Sequence, residues 1–349
     1  MSKKVYVGLS GGVDSSVTAA LLQQQGYDVT GVYMKNWSKD LPGFDCPWKE
    51  DYQDAKRVAV QLGIPFKMYD FETEYRDRVV DYMLDGYKAG ITPNPDIMCN
   101  QEVKFKLFLD AALADGADMI ATGHYARIQD GQLLTGVDTN KDQSYFLYRV
   151  TEPALRKSLM PIGEYEKPQV RELAKQFGLA TAAKKDSQGI CFVGKVGIKE
   201  FLLAELGEQP NGPIMDEAGR VIGEHDGALF YTIGQRHGLN VGGGLPYYVI
   251  GKNMSKNEVY VTTDLQDKRL WSRTLTLTAP NWINNEPQTG DALQVRTRYR
   301  APLVAITNIK KAAKDTWHIE LAEEVRAVTP GQSAVLYAGS HCLGGGVVV

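Results

Sequence analysis

The most constraining feature of the chain is Gly8-Leu9-Ser10-Gly11-Gly12-Val13-Asp14-Ser15-Ser16. An apolar run over residues 5–9 precedes it, and a helically spaced run over 15–25 follows and stops at Gly26. A glycine-rich turn between a strand and a helix lets backbone N–H groups approach an anion. The helix N-terminus adds unpaired donors and partial positive charge. Ser10, Ser15 and Ser16 add hydroxyls, but GxxxxGK[ST] is absent, so no Walker lysine accompanies the turn. A turn of N–H and hydroxyl donors suits a pyrophosphate that leaves as a unit. An ordinary glycine turn with a Ser/Asp cap would explain the residues singly, not their order within a strand–loop–helix unit.

The rest of the first half alternates strands (29–34, 66–71, 119–122) with helices (51–62, 75–87, 104–113), predicting a parallel sheet covered on both faces. A further helix is expected over 167–177, with Pro168 in its first turn and Gly178 after it. Beyond Gly207 short β-rich runs appear at 228–233, 247–250, 258–262, 274–277, 293–298, 305–309, 316–321 and 334–337, the pattern of a small β unit or barrel. The expected division is a catalytic domain over 1–205, a central domain over 206–272 and a β-barrel over 273–349.

The length, 349 residues, agrees with two or three domains, and a hydrophobic fraction of 43% can fill their cores. No apolar stretch reaches membrane-spanning length, so a soluble, cytoplasmic protein with no membrane partner is expected. The net charge of −3 (39 Lys+Arg, 42 Asp+Glu) excludes bulk electrostatic capture of nucleic acid; any RNA must be met by local patches. The four cysteines, Cys46, Cys99, Cys191 and Cys342, form no CxxC pair, and the histidines have no ligand spacing, so no protein-built metal site is expected.

Cys99 ends Thr92-Pro93-Asn94-Pro95-Asp96-Ile97-Met98-Cys99. The two prolines predict a rigid loop feeding the helix at Lys104. Asp96 is close enough in sequence to exchange protons beside Cys99. Cys191 lies in Lys184-Lys185-Asp186-Ser187-Gln188-Gly189-Ile190-Cys191, where the lysines favour a thiolate. Taken alone, Cys99 fits a packed core thiol equally well, and Cys191, between Ile190 and Phe192, fits one slightly better. Together with a loop that suits a departing pyrophosphate they make a coherent chemistry, in which one carries a persulfide and the other attacks it. Arg296, Arg298 and Arg300 alternate, which in a strand puts all three on one face, a solvated strand face on the residues alone or a phosphate-tracking stripe if RNA is the partner.

Residues 10–16 resemble the PP-loop of ATP pyrophosphatases, which cleave ATP between its α- and β-phosphates. That group includes GMP, NAD and argininosuccinate synthetases and several tRNA-modifying enzymes. Five further segments look like the tRNA-specific 2-thiouridylase (MnmA) family: residues 92–100, Gly123-His124-Tyr125-Ala126-Arg127, Lys141-Asp142-Gln143-Ser144-Tyr145-Phe146-Leu147, 186–192 and Tyr231-Thr232-Ile233-Gly234-Gln235-Arg236. The resemblance runs the length of the chain in order. Lys106 departs from it, standing where the family often has glycine.

The resemblance implies an adenine nucleotide alpha hydrolase-like α/β domain, a small central domain and a C-terminal barrel. ATP would be held by Gly8, Leu9, Ser10, Gly11, Gly12, Val13, Asp14 and Ser15, with Met34 and Gly123 at the nucleoside and Mg2+ on the phosphates. Cys99 would be the nucleophile, Cys191 the persulfide carrier and Asp96 the acid/base, with a transient Cys99–Cys191 disulfide. Asn94, Pro95 and Asp96 would meet the target base. His124, Lys141, Asp142, Gln143, Arg298, Tyr299 and Gln332 would contact tRNA. The implied activity is ATP-dependent thiolation of C2 of the wobble uridine in the tRNAs for Lys, Glu and Gln. Its sulfur would come from a cysteine desulfurase or a relay carrier. A PP-loop ligase or amidotransferase without cysteine chemistry, or a nucleotide-regulated RNA-binding protein, are the competing readings.

Overall fold

The computed structural model describes residues 2–41, 45–185, 197–239, 241–242, 244–288 and 290–349. Cys191 and the rest of 186–196 lie outside the described residues. The N-terminal sheet is built from β1 (Lys4–Gly8), β2 (Asp28–Lys35), β3 (Phe66–Asp70), β4 (Met119–Ala121) and a short strand, Ser158–Leu159, in the order β3-β2-β1-β4 with the short strand outermost. Every pairing is parallel. β1 and β2 bury both faces, with Val5, Val7 and Val32 at 0% exposure, as a sheet covered by helices requires.

Helix α1 (Val13–Gln24) follows β1, and α2 (Trp48–Leu62) follows β2 and ends at Gly63 in the left-handed conformation. α3 spans 72–88 with a π-helical stretch at Arg76–Val80. α4 spans 95–114, with a π-helical stretch at Cys99–Leu107. The chain builds outward from β1 to β3, then crosses to the other side of β1 for β4. The β1/β4 gap is therefore a topological switch point, where ligands of open α/β sheets bind beyond the strand C-termini.

The hairpin β5 (Ala126–Gln129)–β6 (Gln132–Thr135) turns on Asp130 and Gly131, both at positive φ. After the short strand come α5 (Lys167–Gln176) and α6 (Ile198–Leu206). The central domain holds a four-stranded sheet of Gly212–Met215, Val221–His225, Tyr248–Asn253 and Glu258–Thr262. The strand expected at 228–233 is instead a 3-10 turn at Ala228–Phe230.

The C-terminal barrel uses six strands: Trp271–Trp282, Gln294–Arg296, Val304–Ala313, Thr316–Arg326, Ser333–Ala338 and His341–Val348. The first, twelve residues long, pairs with Thr316–Arg326 through its first half and with the last strand through its second. An irregularity between Thr278 and Asn281, with Ala279 at φ 44°, lets it turn this corner and close the barrel. Closure brings backbones so near that a Cβ on Gly344 would lie 2.0 Å from the Asn281 carbonyl oxygen, and one on Gly345 2.3 Å from that of Ala334.

β6 pairs with the last barrel strand (His341 opposite Leu134, Cys342 opposite Leu133), so a hairpin of the N-terminal domain extends the barrel sheet. Beside this seam lies Asp142, 2% exposed. It accepts from the Gly136 and Ser144 amides, the Ser144 hydroxyl and, at 3.0 Å, Arg296 of the barrel. The expected arginine stripe is absent. Its strand stops at Arg296, Arg298 turns inward, and Arg300 sits at φ 62°.

Asp142→Ala would strand the Arg296 guanidinium, whose Nε is already buried without a partner. The expected loss is about 3–5 kcal/mol, read as a lower urea midpoint. A loss below about 1 kcal/mol would contradict the buried-pair assignment.

Candidate functional site

The first turn of α1 begins at Gly12 with no side chain capping it, which leaves its N–H groups available to a ligand. Gly11, at φ 73°, lies against α2: a Cβ there would be 2.4 Å from the Asp51 carbonyl oxygen. Ser15 Oγ receives the Ser10 amide at 3.2 Å and lies 3.2 Å from Ser10 Oγ, holding the turn closed on itself. Ser16 is turned inward and donates to the Gly12 carbonyl at 2.7 Å. Met34 packs on Gly8, where a Cβ would come within 2.9 Å of its Cε.

Gly123, two residues beyond β4, is the loop's other neighbour. A Cβ there would lie 2.7 Å from the Ser15 amide nitrogen and 2.9 Å from the Asp14 carbonyl carbon. The loop and Gly123 thus face each other across the switch point. Asp14 accepts from Tyr125 Oη at 2.8 Å and pairs with Lys167 at 2.8 and 2.9 Å. Lys167, at the start of α5, brings a cation to the loop from 153 residues away, a role for which the sequence carries no local signal.

Cys99 is not on a loop. Asn94 accepts from the Asp96 and Ile97 amides as an N-cap and Pro95 takes the first helical position, so α4 starts before Cys99. Cys99 is 1% exposed and opens the π-helical stretch. In an α-helix Cys99 and Lys104 would be roughly 140° apart around the axis. The i→i+5 bonding of the π-helix brings them toward one face. Lys104 Nζ lies 3.5 Å from His124 Nε2, and His124 Nδ1 lies 2.8 Å from Thr122 Oγ1. A lysine ammonium only donates, so Nε2 is the acceptor and Nδ1–H faces the threonine. A continuous path therefore runs from the Cys99 helix through Lys104, His124 and Gly123 to the loop. Sequence reasoning did not single out Lys104 or Thr122.

The residues expected at tRNA are placed unevenly. Lys141 is half-buried, while Gln143 accepts the Tyr125 amide at 2.9 Å. The Tyr299 ring packs against Phe146 at a tilt of 49°, centroids 4.5 Å apart, and the Arg300 guanidinium lies over the Tyr299 ring at 5.1 Å. Asp142 and His124 are buried. Arg298 Nη2 donates to Ile233 O, Ala327 O and Thr329 Oγ1 at 2.7–2.9 Å. Gln332 Nε2 donates to the Thr92 carbonyl at 2.7 Å. Cys342 is fully enclosed and its thiol is pushed up by burial. Among the described residues no group of three or more His, Cys, Asp or Glu could hold a metal ion.

The chain matches family models described as tRNA methyl transferase HUP domain over residues 3–195, tRNA methyl transferase PRC-barrel domain over 199–263, and Aminomethyltransferase beta-barrel domain over 272–348. It is 48% identical over 353 residues to the tRNA-specific 2-thiouridylase MnmA of Bacillus subtilis (strain 168), covering 99% of this chain and 94% of that one. Identity to the Bacillus cereus (strain ATCC 14579) protein of the same name is also 48%, over 351 residues with the same coverage. The chain belongs to the tRNA-specific 2-thiouridylase (MnmA) family. A 4-thiouridine synthetase–RNA complex with bound ATP aligns with 56% of this chain and 46% of its own at 19% identity, with a TM-score of 0.39.

Burial, and then the charge of Lys104, hold the His124 imidazole well below its ordinary value of 6.5. The unfolded chain binds this proton near pH 6.5 and the folded chain resists it, so the contribution is full above about 6.5 and shrinks as pH falls. His225 is shifted the same way by burial. Stability measured in urea should therefore drop between pH 7.5 and 5.5, and His124→Gln should make that drop shallower. An equally steep drop in the variant would show that His124 is not a source of it.

Proposed function

We propose that the chain is an ATP-dependent tRNA-uridine 2-sulfurtransferase that thiolates C2 of the wobble uridine in the tRNAs for Lys, Glu and Gln. The observation that carries this reading is the convergence, at one switch-point crevice, of an N–H-lined loop and a helix bearing a buried cysteine. It occurs in a chain 48% identical over 99% of its length to a curated tRNA-specific 2-thiouridylase.

In this reading Gly8 to Ser15 hold the ATP phosphates, with Met34 and Gly123 beside the nucleoside. The uridine O2 attacks the α-phosphorus and pyrophosphate departs, its charge met by the α1 N-terminus. Asp96 moves a proton at the base, which Asn94 and Pro95 border. A persulfide on Cys191 supplies sulfur. The Cys99 thiolate attacks the Cys191 sulfur, the S–S bond breaks, and the terminal sulfur leaves with the electron pair. It forms the C2–S bond as AMP departs with the old oxygen. The two cysteines are left as a disulfide, which a thiol reductant reopens before a cysteine desulfurase or relay carrier reloads Cys191.

A Mg2+ ion arriving on ATP needs few protein ligands, because phosphates and waters fill most of its shell. Asp14, the carboxylate of the loop, is already held by Lys167 and Tyr125, so phosphates and waters would supply the shell; such an ion would neutralise phosphate charge. Lys141, Gln143 and Tyr299 are each half-buried; Gln143, like His124, Asp142, Arg298 and Gln332, would give up or share a protein contact to meet RNA.

Nucleoside mass spectrometry after incubation of tRNA with ATP, a persulfide donor and the protein should show 2-thiouridine, with AMP and pyrophosphate in equal amounts. Cys99→Ser should reduce the product below detection, and non-reducing peptide mapping of the wild type should recover a Cys99–Cys191 peptide after turnover. Undiminished product from Cys99→Ser would instead support a PP-loop enzyme that does not use its cysteines.

A further inference from the structure

The approach to Cys99 passes through a joint of all three domains. Thr92 is 9% exposed. Its amide donates to the Pro330 carbonyl of the barrel at 3.0 Å, and its carbonyl accepts from Gln332 Nε2 at 2.7 Å. Its hydroxyl lies 3.1 Å from that of Thr232 in the central domain. Backbone and side chain of one residue are thus held from two directions.

Two glycines make the fit possible. Gly331 is at φ 89°, and a Cβ there would lie 2.9–3.0 Å from the Thr92 backbone. On the other side Gly86 of α3 lets Pro93 approach so closely that a Cβ would be 2.7 Å from its Cγ. The barrel side is itself rigid: Gly331 N donates to Val348 O and Val348 N to Gln332 O. Arg298 ties Thr329 of this turn to Ile233, next to Thr232. Two residues beyond Thr92 comes the Asn94 cap, and from it the first turns of α4 that carry Asp96 and Cys99.

We infer that Gln332 is a positioning residue: by donating to the Thr92 carbonyl it locks the start of α4 to the barrel and so sets where Asp96 and Cys99 stand. The inference rests on the assignment of Cys99 in the proposed function. It differs from a simple RNA contact at Gln332, because the lock operates in the protein without tRNA. Gln332→Glu replaces a donor with an acceptor facing a carbonyl; Gln332→Lys keeps an N–H donor.

The test uses the full-length protein and three readouts: tRNA affinity, the single-turnover rate of 2-thiouridine formation at saturating tRNA, and the rate of Cys99 alkylation by iodoacetamide without tRNA. Gln332→Ala and Gln332→Glu should lower the saturating rate about tenfold or more and raise Cys99 alkylation severalfold, with Gln332→Lys restoring both toward wild type. An unchanged alkylation rate or an unchanged saturating rate overturns the inference, and weakened affinity as the sole effect identifies Gln332 as an RNA contact alone. If these variants fail to fold, Gln332→Asn, which keeps the amide but withdraws its N–H from the Thr92 carbonyl, is read by the same criteria. If the wild type makes no 2-thiouridine, the proposed function fails, and the alkylation arm still decides whether the lock exists.

Discussion

The contact on which the site depends is the approach of Gly123 to the first turn of α1. With 2.7 Å between a notional Cβ and the Ser15 nitrogen, any side chain at 123 would push the strand end away from the loop. Because β4 pairs directly with β1, that displacement would open the crevice and misalign the unpaired N–H groups that face it. Everything around this contact holds it closed: Ser15 braces Ser10, Asp51 backs Gly11, and Lys167 with Tyr125 grips Asp14. Two of these braces come from residues more than a hundred positions away, so the loop is shaped by the tertiary fold as well as by its own glycines.

The second constraint is the seam between the N-terminal domain and the barrel. The edge of the β5–β6 hairpin, and the His341–Cys342 end of the last barrel strand beyond its pairing with the first, would ordinarily stay open to other chains. Here β6 completes one edge against the last barrel strand, and the Asp142–Arg296 pair is buried beside it. Tyr145 donates to Ser333 O, and Tyr148 lies 3.1 Å from Ser333 Oγ. These are polar contacts in a water-poor seam, where a missing partner costs more than a satisfied pair contributes. That asymmetry favours one docking geometry over many and gives the Thr92 joint a fixed barrel to lean on.

Legibility in the sequence followed the range of the interactions. The loop, β1, β4 and the alternation were readable because glycine chemistry and side-chain period act over a few residues. Cys99 was misplaced because two prolines were read as helix breakers, whereas Pro95 sits at the first helical position that proline suits, capped by Asn94. The β5–β6 hairpin carried a readable Asp130-Gly131 turn that went unused. The arginine stripe failed for a different reason. Arg296 is claimed by Asp142, 154 residues away, and no local pattern could report that. Lys104 was hidden because only a π-helical register brings it toward the face of Cys99.

The same long-range pairings sharpen the meaning of the net charge. Several cations nearest the site are committed internally: Lys167 to Asp14, Lys184 to Asp51 and Asp54, Arg296 to Asp142, and Arg298 to three neutral acceptors. Phosphate affinity grows with the cations free to displace counterions, so a chain at −3 that uses its central arginines as internal fasteners has little general affinity for RNA to offer. On the proposed function, recognition rests on fit rather than bulk charge, and fit that spans domains is only as well defined as the joints between them. The fasteners that lower bulk attraction also hold those joints in shape, so here positioning and selectivity are two consequences of one use of charge.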